Sequence, residues 1–167
     1  MRFNTALKYV LEHEGGLVDH PRDPGGITKY GISLRAYPDL KEEGIRNLTI
    51  EQAAAIYKKD YWDAMKCDLL HDEIRLMVFD CAVNQGVAYC TKALQGAVGA
   101  VVDGKIGPKT ISASHRAKPL DIIHKMATAR MIRYSVHPEW NTFRSGWINR
   151  LMHITIYTGA GNGAESR

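Results

Sequence analysis

Apolar residues recur at helical spacing along almost the whole of this 167-residue chain, and one glycine- and proline-rich stretch near the amino terminus interrupts them. Leu7, Val10, Leu11 and Glu14 fall at i, i+3, i+4 and i+7 behind a candidate cap at Asn4, which predicts a first helix ended by Gly15-Gly16. Residues 17–31 hold two prolines and five glycines or aspartates, so an irregular loop or short hairpin is expected there. Ser33 is placed to cap a short helix stopped near Pro38, and Thr49 with Gln52 forms a capping-box pair for a helix reaching about Asp63. Ile56, Tyr57 and Tyr61 belong to the inner face of that helix. Ile74, Met77, Val78 and Cys81 predict a helix over about 72–85 halted by Gly86, and a further one runs from Val87 to about Ala100. Pro108 and Pro119 each suit the first position of a helix. Trp140, Phe143 and Trp147 trace one stripe of a last helix and read as core, while the tail after Gly159 reads as frayed.

Composition bounds the class. With 45% hydrophobic and 24% charged residues, the chain has enough apolar surface for a self-sufficient core, so neither a disulfide framework nor a structural metal is required. Cys67, Cys81 and Cys90 are an odd set without a CxxC pair and read as reduced, buried thiols. No apolar run approaches the ~18 residues of a membrane span, so no stable membrane insertion is expected. The amino terminus lacks a signal-peptide pattern, which points to synthesis in the cytoplasm. Charge is uneven. Residues 1–85 carry 11 Lys/Arg against 14 Asp/Glu, and residues 86–167 carry 11 against 4, so the rear half should attract a polyanion such as nucleic acid, a membrane surface or an anionic cell wall.

Glu14 is the leading candidate for chemistry. On the apolar face of the first helix and in its last turn, it would be partly desolvated and close to the negative end of the helix dipole. Both effects favour the protonated acid that general-acid catalysis uses. Asp23, nine residues on in the Pro/Gly-framed loop, could return to face it, and Asp19 competes for the same role. Two carboxylates in different environments are the pairing used in glycoside hydrolysis. Thr28 could hold a water through its hydroxyl. His13 and His20 flank Glu14 without an HExxH spacing, and Cys67 with His71 offers only two ligands, so no metal is expected. P-loop, GxGxxG and GxSxG motifs are missing, which removes motif support for nucleotide-dependent and serine-hydrolase activities.

The run EGGLVDHPRDPGGITKYGIS at 14–33 resembles the opening motif of the phage and bacterial muramidases of glycoside hydrolase family 108. AAAIYKKDYW at 53–62, FDCAVNQG at 79–86 and LQGAVGAVVDGKIGPKTISA at 94–113 continue the resemblance, which covers about residues 5 to 158. The last of these is similar to a peptidoglycan-binding-type region. The resemblance implies a mainly α, lysozyme-like, two-lobed helical domain with a small irregular or hairpin loop in the amino-terminal lobe. It implies a catalytic region over 1–92 and a peptidoglycan-binding-like region over 93–167, packed as one unit. Carried over, Glu14 is the catalytic acid, and Asp23 and Thr28 are its partners, in an order also similar to phage lysozymes. Leu17 stands where the family often has an aromatic residue, so sugar stacking at that point is either lost or supplied by Tyr30. Asp19, Tyr61, Asn84 and Gln85 are implied to line the saccharide cleft. The activity implied is cofactor-free hydrolysis of the β-1,4 bond between N-acetylmuramic acid and N-acetylglucosamine in peptidoglycan. A monomer that reaches the wall through a holin or secretion machinery fits that activity. A non-catalytic peptidoglycan-binding module and a lytic transglycosylase are the alternatives. Nucleic-acid binding is disfavoured because the rear-half cations are dispersed.

Overall fold

The structure, a computed structural model, describes residues 1–14, 16–17 and 26–160. Among these residues are eight α-helices, three short 3-10 turns, one π-helical stretch and one two-stranded antiparallel sheet. Helix α1 spans Phe3–Glu14, and strands β1 (Thr28–Lys29) and β2 (Ile32–Ser33) pair in register Thr28 to Ser33 and Lys29 to Ile32. Helices α2 (Lys41–Arg46) and α3 (Ile50–Tyr57) follow, then α4 (Arg75–Gln85), α5 (Val87–Ala97), α6 (Pro108–Arg116), α7 (Pro119–Ser135) and α8 (Trp140–Ala160).

Helix α4 is the hub, packed against α1, α5, α7 and α8. Every residue from 76 to 82 is buried, so this helix presents no solvent face along those two turns, as expected for an element surrounded on all sides. Phe3, Trp62 and Phe79 meet edge to face at 5.4–5.8 Å between ring centres and join α1 and the segment after α3 to this hub. The three cysteines are free and buried. None of the described helices is long and apolar enough to cross a membrane.

Local chemistry explains where the elements start. The capping box at Thr49 is present in full: Thr49 Oγ1 accepts from the Gln52 amide, and Gln52 Oε1 accepts from the Thr49 amide. The turn after α3 widens into a π-helical stretch over Lys58–Asp63, so helical backbone runs on to Asp63 as the spacing predicts. Pro108 and Pro119 each lie at the start of their helices. Two expectations need correction. Helix α1 begins at Phe3, which puts Asn4 inside the first turn instead of at the cap. Ser33 closes only a tight turn, its Oγ accepting from the Ala36 amide, and Pro38 opens a 3-10 turn leading into α2, because proline's fixed φ suits a helix start.

Candidate active site

Glu14 is the last residue of α1, and its carboxylate side chain is 18% exposed. Arg150 of α8 donates from Nη1 to Glu14 Oε1 at 2.6 Å, across 136 positions of sequence. The same guanidinium donates from Nε to Asp80 Oδ1 at 2.9 Å, and Arg130 Nη2 of α7 donates to Asp80 Oδ2 at 2.5 Å. Asp80 and Arg130 are fully enclosed. Acid and base therefore alternate from the surface inward: Glu14, Arg150, Asp80, Arg130. Burial alone would push Asp80 up, but the two guanidiniums reverse this and hold its carboxyl below the ordinary range. Arg130 and Arg150 are correspondingly held in their charged forms: desolvation works against the charge and the Asp80 carboxylate outweighs it. At the end of α1 the environment is thus more than apolar burial, since a cation fixes one carboxylate oxygen of Glu14.

The second oxygen faces the hairpin. The β1–β2 turn is Tyr30-Gly31, with φ of +51° and +75°, the left-handed pair that a two-residue hairpin demands. A Cβ on Gly31 would lie 2.7 Å from Glu14 Oε2 and would overlap the Tyr57 hydroxyl, so only glycine lets the turn approach this closely. Tyr57 donates its hydroxyl to the Tyr30 carbonyl at 2.9 Å and ties the hairpin to α3. Burial, and then the Glu14 carboxylate, push the Tyr57 hydroxyl up, so it stays a donor. Tyr61 packs against Tyr57 at 5.6 Å between ring centres. Lys29 donates to the Arg46 carbonyl at 2.8 Å, anchoring the other edge of the hairpin to α2.

The remaining sequence candidates are distributed around this centre. Thr28 is in β1, its Oγ1 donating to the Gly26 carbonyl at 3.3 Å. Tyr30 is partly exposed, with Lys29 Nζ 5.6 Å from its ring centre. Asn84 Oδ1 accepts from the Tyr134 hydroxyl, and Gln85 Nε2 donates to the Arg130 carbonyl at 3.3 Å, which places both along the Asp80 side of the site. Leu17 is 51% exposed. Asp19 and Asp23 lie outside the described residues. Among the described residues, no three His, Cys, Asp or Glu side chains converge to hold a metal ion. The burial of Cys67 pushes its thiol up and keeps it protonated.

The sequence pattern of the family described as Glycosyl hydrolase 108 matches residues 7–86, a span that contains Glu14, the hairpin, Tyr57 and Asp80. The structure of SagA from Brucella abortus superposes with a TM-score of 0.88 at 32% identity, covering 99% of this chain and 98% of that one. The chain belongs to the glycosyl hydrolase 108 family. No curated protein matches the sequence. Membership makes this chain a glycosidase with a lysozyme-like helical fold, of the kind that acts on peptidoglycan. In this member of the family, periodicity and motif point to Glu14, whereas Arg150, Arg130 and Gly31 escaped the sequence reading. A usable signal existed for one link only: Asp80 is the one charged residue in an otherwise apolar run from 76 to 83. Nothing in the sequence spacing pairs it with cations 50 and 70 residues away.

Proposed function

We propose that the protein is an N-acetylmuramidase that hydrolyses the β-1,4 bond between N-acetylmuramic acid and N-acetylglucosamine, with Glu14 as general acid. The observation that carries this reading is the division of labour between the two oxygens of Glu14. Oε1 is fixed by Arg150, and Oε2 lies beside the Gly31 turn. Such an anchored carboxyl is oriented for proton delivery without a search through rotamers. When Glu14 is protonated, Oε2 is the oxygen free of Arg150 to carry the proton, which passes to the glycosidic oxygen as the C1–O bond breaks. Positive charge then develops on the sugar ring, where a second carboxylate stabilises it or activates the attacking water. Asp23 is assigned that part and Thr28 the positioning of the water, both from the family resemblance. Tyr30, Tyr61, Asn84, Gln85 and Asp19 are assigned to the saccharide cleft. No cofactor takes part, the enzyme acts as a monomer, and it meets the wall after holin-mediated release or secretion.

The test is mass spectrometry of the soluble products when wild type and Glu14→Gln are each incubated with purified peptidoglycan. Reducing muramic-acid ends from wild type alone are expected. Anhydro-sugar products would replace hydrolysis with lytic transglycosylation, and full release by Glu14→Gln would remove Glu14 from the acid role.

A further inference from the structure

The charge chain at Glu14 continues into a cluster of rings. Arg130 Nη2 reaches the Tyr134 hydroxyl at 3.4 Å, that hydroxyl donates to Asn84, and the Tyr134 ring stacks on Trp147 at 5.1 Å and 20°. Around Trp147 stand His137 edge-on at 5.0 Å, Phe143 at 5.8 Å and Trp140 at 6.4 Å. Two of these residues do not behave as core. Phe143 is 46% exposed and His137 is exposed, whereas Trp140 and Trp147 are half-buried and pack against the core, so of the Trp140, Phe143, Trp147 stripe only Phe143 departs from the expected packing. Trp147 is also one helical turn from Arg150, the residue that holds Glu14, and so lies on the same side of α8.

Gly146 adds an independent observation. It lies in mid-helix, where glycine is the poorest ordinary residue after proline, and apart from its chain neighbours and the helix's own backbone a Cβ there would meet no described atom within 4 Å. The helix surface at 146 is therefore open, although any side chain with a Cβ would favour the helix more. His137 accepts from the Glu139 amide on Nδ1 at 3.2 Å, so its neutral ring carries the proton on Nε2 as an outward donor.

We propose that Trp147, Trp140 and Phe143 form a stacking platform for a sugar ring of the glycan strand, beyond the sugars that flank the bond being cut. Asn84 and His137 supply the polar contacts at its rim. Half-exposed rings with a few convergent polar groups present an apolar face and hydrogen-bonding edges together, which is the amphipathic character a pyranose requires. Tyr134 joins Trp147 to half-buried Asn84, which the proposed function assigns to the saccharide cleft, and this continuity sets the occupant as the same strand. That role rests on the hydrolase reading above.

The platform is tested with Gly146→Leu and Phe143→Ala, each combined with Glu14→Gln, against soluble glycan strands stripped of their stem peptides. Trp62 is fully buried, so of the three tryptophans only Trp140 and Trp147 should report binding by fluorescence. A leucine at 146 leans back over Phe143 while favouring the helix. Weakening of Kd by about tenfold, equivalent to about 1.4 kcal/mol, is expected for Gly146→Leu without a drop in Tm. Several-fold weakening is expected for Phe143→Ala. In the otherwise wild-type enzyme the same changes should raise KM and leave kcat within about twofold. Unchanged Kd and KM in both variants would overturn the platform even if the enzyme cuts normally. Fluorescence changes and weakened binding without any reducing ends from wild type would keep the platform and overturn the hydrolase.

Discussion

Asp80 shows how one enclosed carboxylate can set the position of another that does chemistry. Its two oxygens are divided between Arg130 and Arg150, and Arg150 spans from Asp80 to Glu14. Removing the middle charge leaves two guanidiniums buried with too little compensation, a situation that costs about 3–5 kcal/mol when one partner of a buried pair is lost. Asp80→Asn should therefore lower the urea-unfolding free energy by about that amount, and a loss below about 1 kcal/mol would mean that the chain of charges is dispensable for folding. Arg150→Met makes a complementary test, because it frees Glu14 and leaves buried Asp80 with only one of its two cations, Arg130. Activity should fall in that variant by more than the folded fraction does, as measured by active-site titration alongside circular dichroism. At this scale the sequence was informative about Glu14, whose place on a helical face follows from spacing alone. It was silent about Arg150, since an ion pair 136 positions apart leaves no local pattern.

Elements set how closely groups can meet, and the hairpin is the decisive one here. A two-residue turn with both φ values positive brings β1 and β2 against the end of α1, and Gly31 is the point of closest approach to Glu14 Oε2. Gly31→Ala would combine a strained φ of +75° with a Cβ overlapping Tyr57 and crowding the carboxylate. The strain belongs in the range of about 1–3 kcal/mol, and displacement of the acid by about 1 Å can cost about 100-fold in rate. The expected outcome is a modest fall in Tm with a loss of kcat/KM approaching two orders of magnitude. Activity within about threefold of wild type would show that the hairpin does not set the position of Glu14. The helices were largely legible because capping boxes, prolines at first positions and apolar periodicity act locally, as at Thr49, Pro108 and α4. Pro38 was misread as a stop because proline ends one helix and begins another by the same fixed φ. Only the chain on its far side, here α2, distinguishes the two.

For the whole molecule, charge counted along the chain differs from charge presented to solvent. Arg130 and Arg150 belong to the basic rear half and Glu14 and Asp80 to the acidic front half, and all four meet in one chain of ion pairs that leads from the surface into the core. Each half thus turns two of its majority charges inward, and the attraction of the rear half for an anionic wall is smaller than the sequence arithmetic implies. The same cluster of charges fixes the direction of acid sensitivity. Two groups at or near it have folded-state pKa values below their ordinary ones. His13 is held down by burial and then by Arg150, and Asp80 is held down because its two guanidiniums overcome the opposing effect of burial. For a depressed group the unfolded chain binds protons more readily, so stability is present above the unfolded pKa and is lost as pH falls. Two windows follow: one opening as pH drops through about 6.5, from His13, and one below about 4, from Asp80. His13 also meets His153 edge-on at 5.4 Å, so charging one ring repels the other and reinforces the first window. Thermal unfolding from pH 8 to pH 3 should show a Tm that declines in two steps in wild type. His13→Gln should remove the step near neutrality and keep the one below pH 4, because Gln fills a comparable space without titrating. If the variant retains the upper step, the titrating group lies elsewhere and the coupling of α1 to α8 through Arg150 does not govern the response to acid.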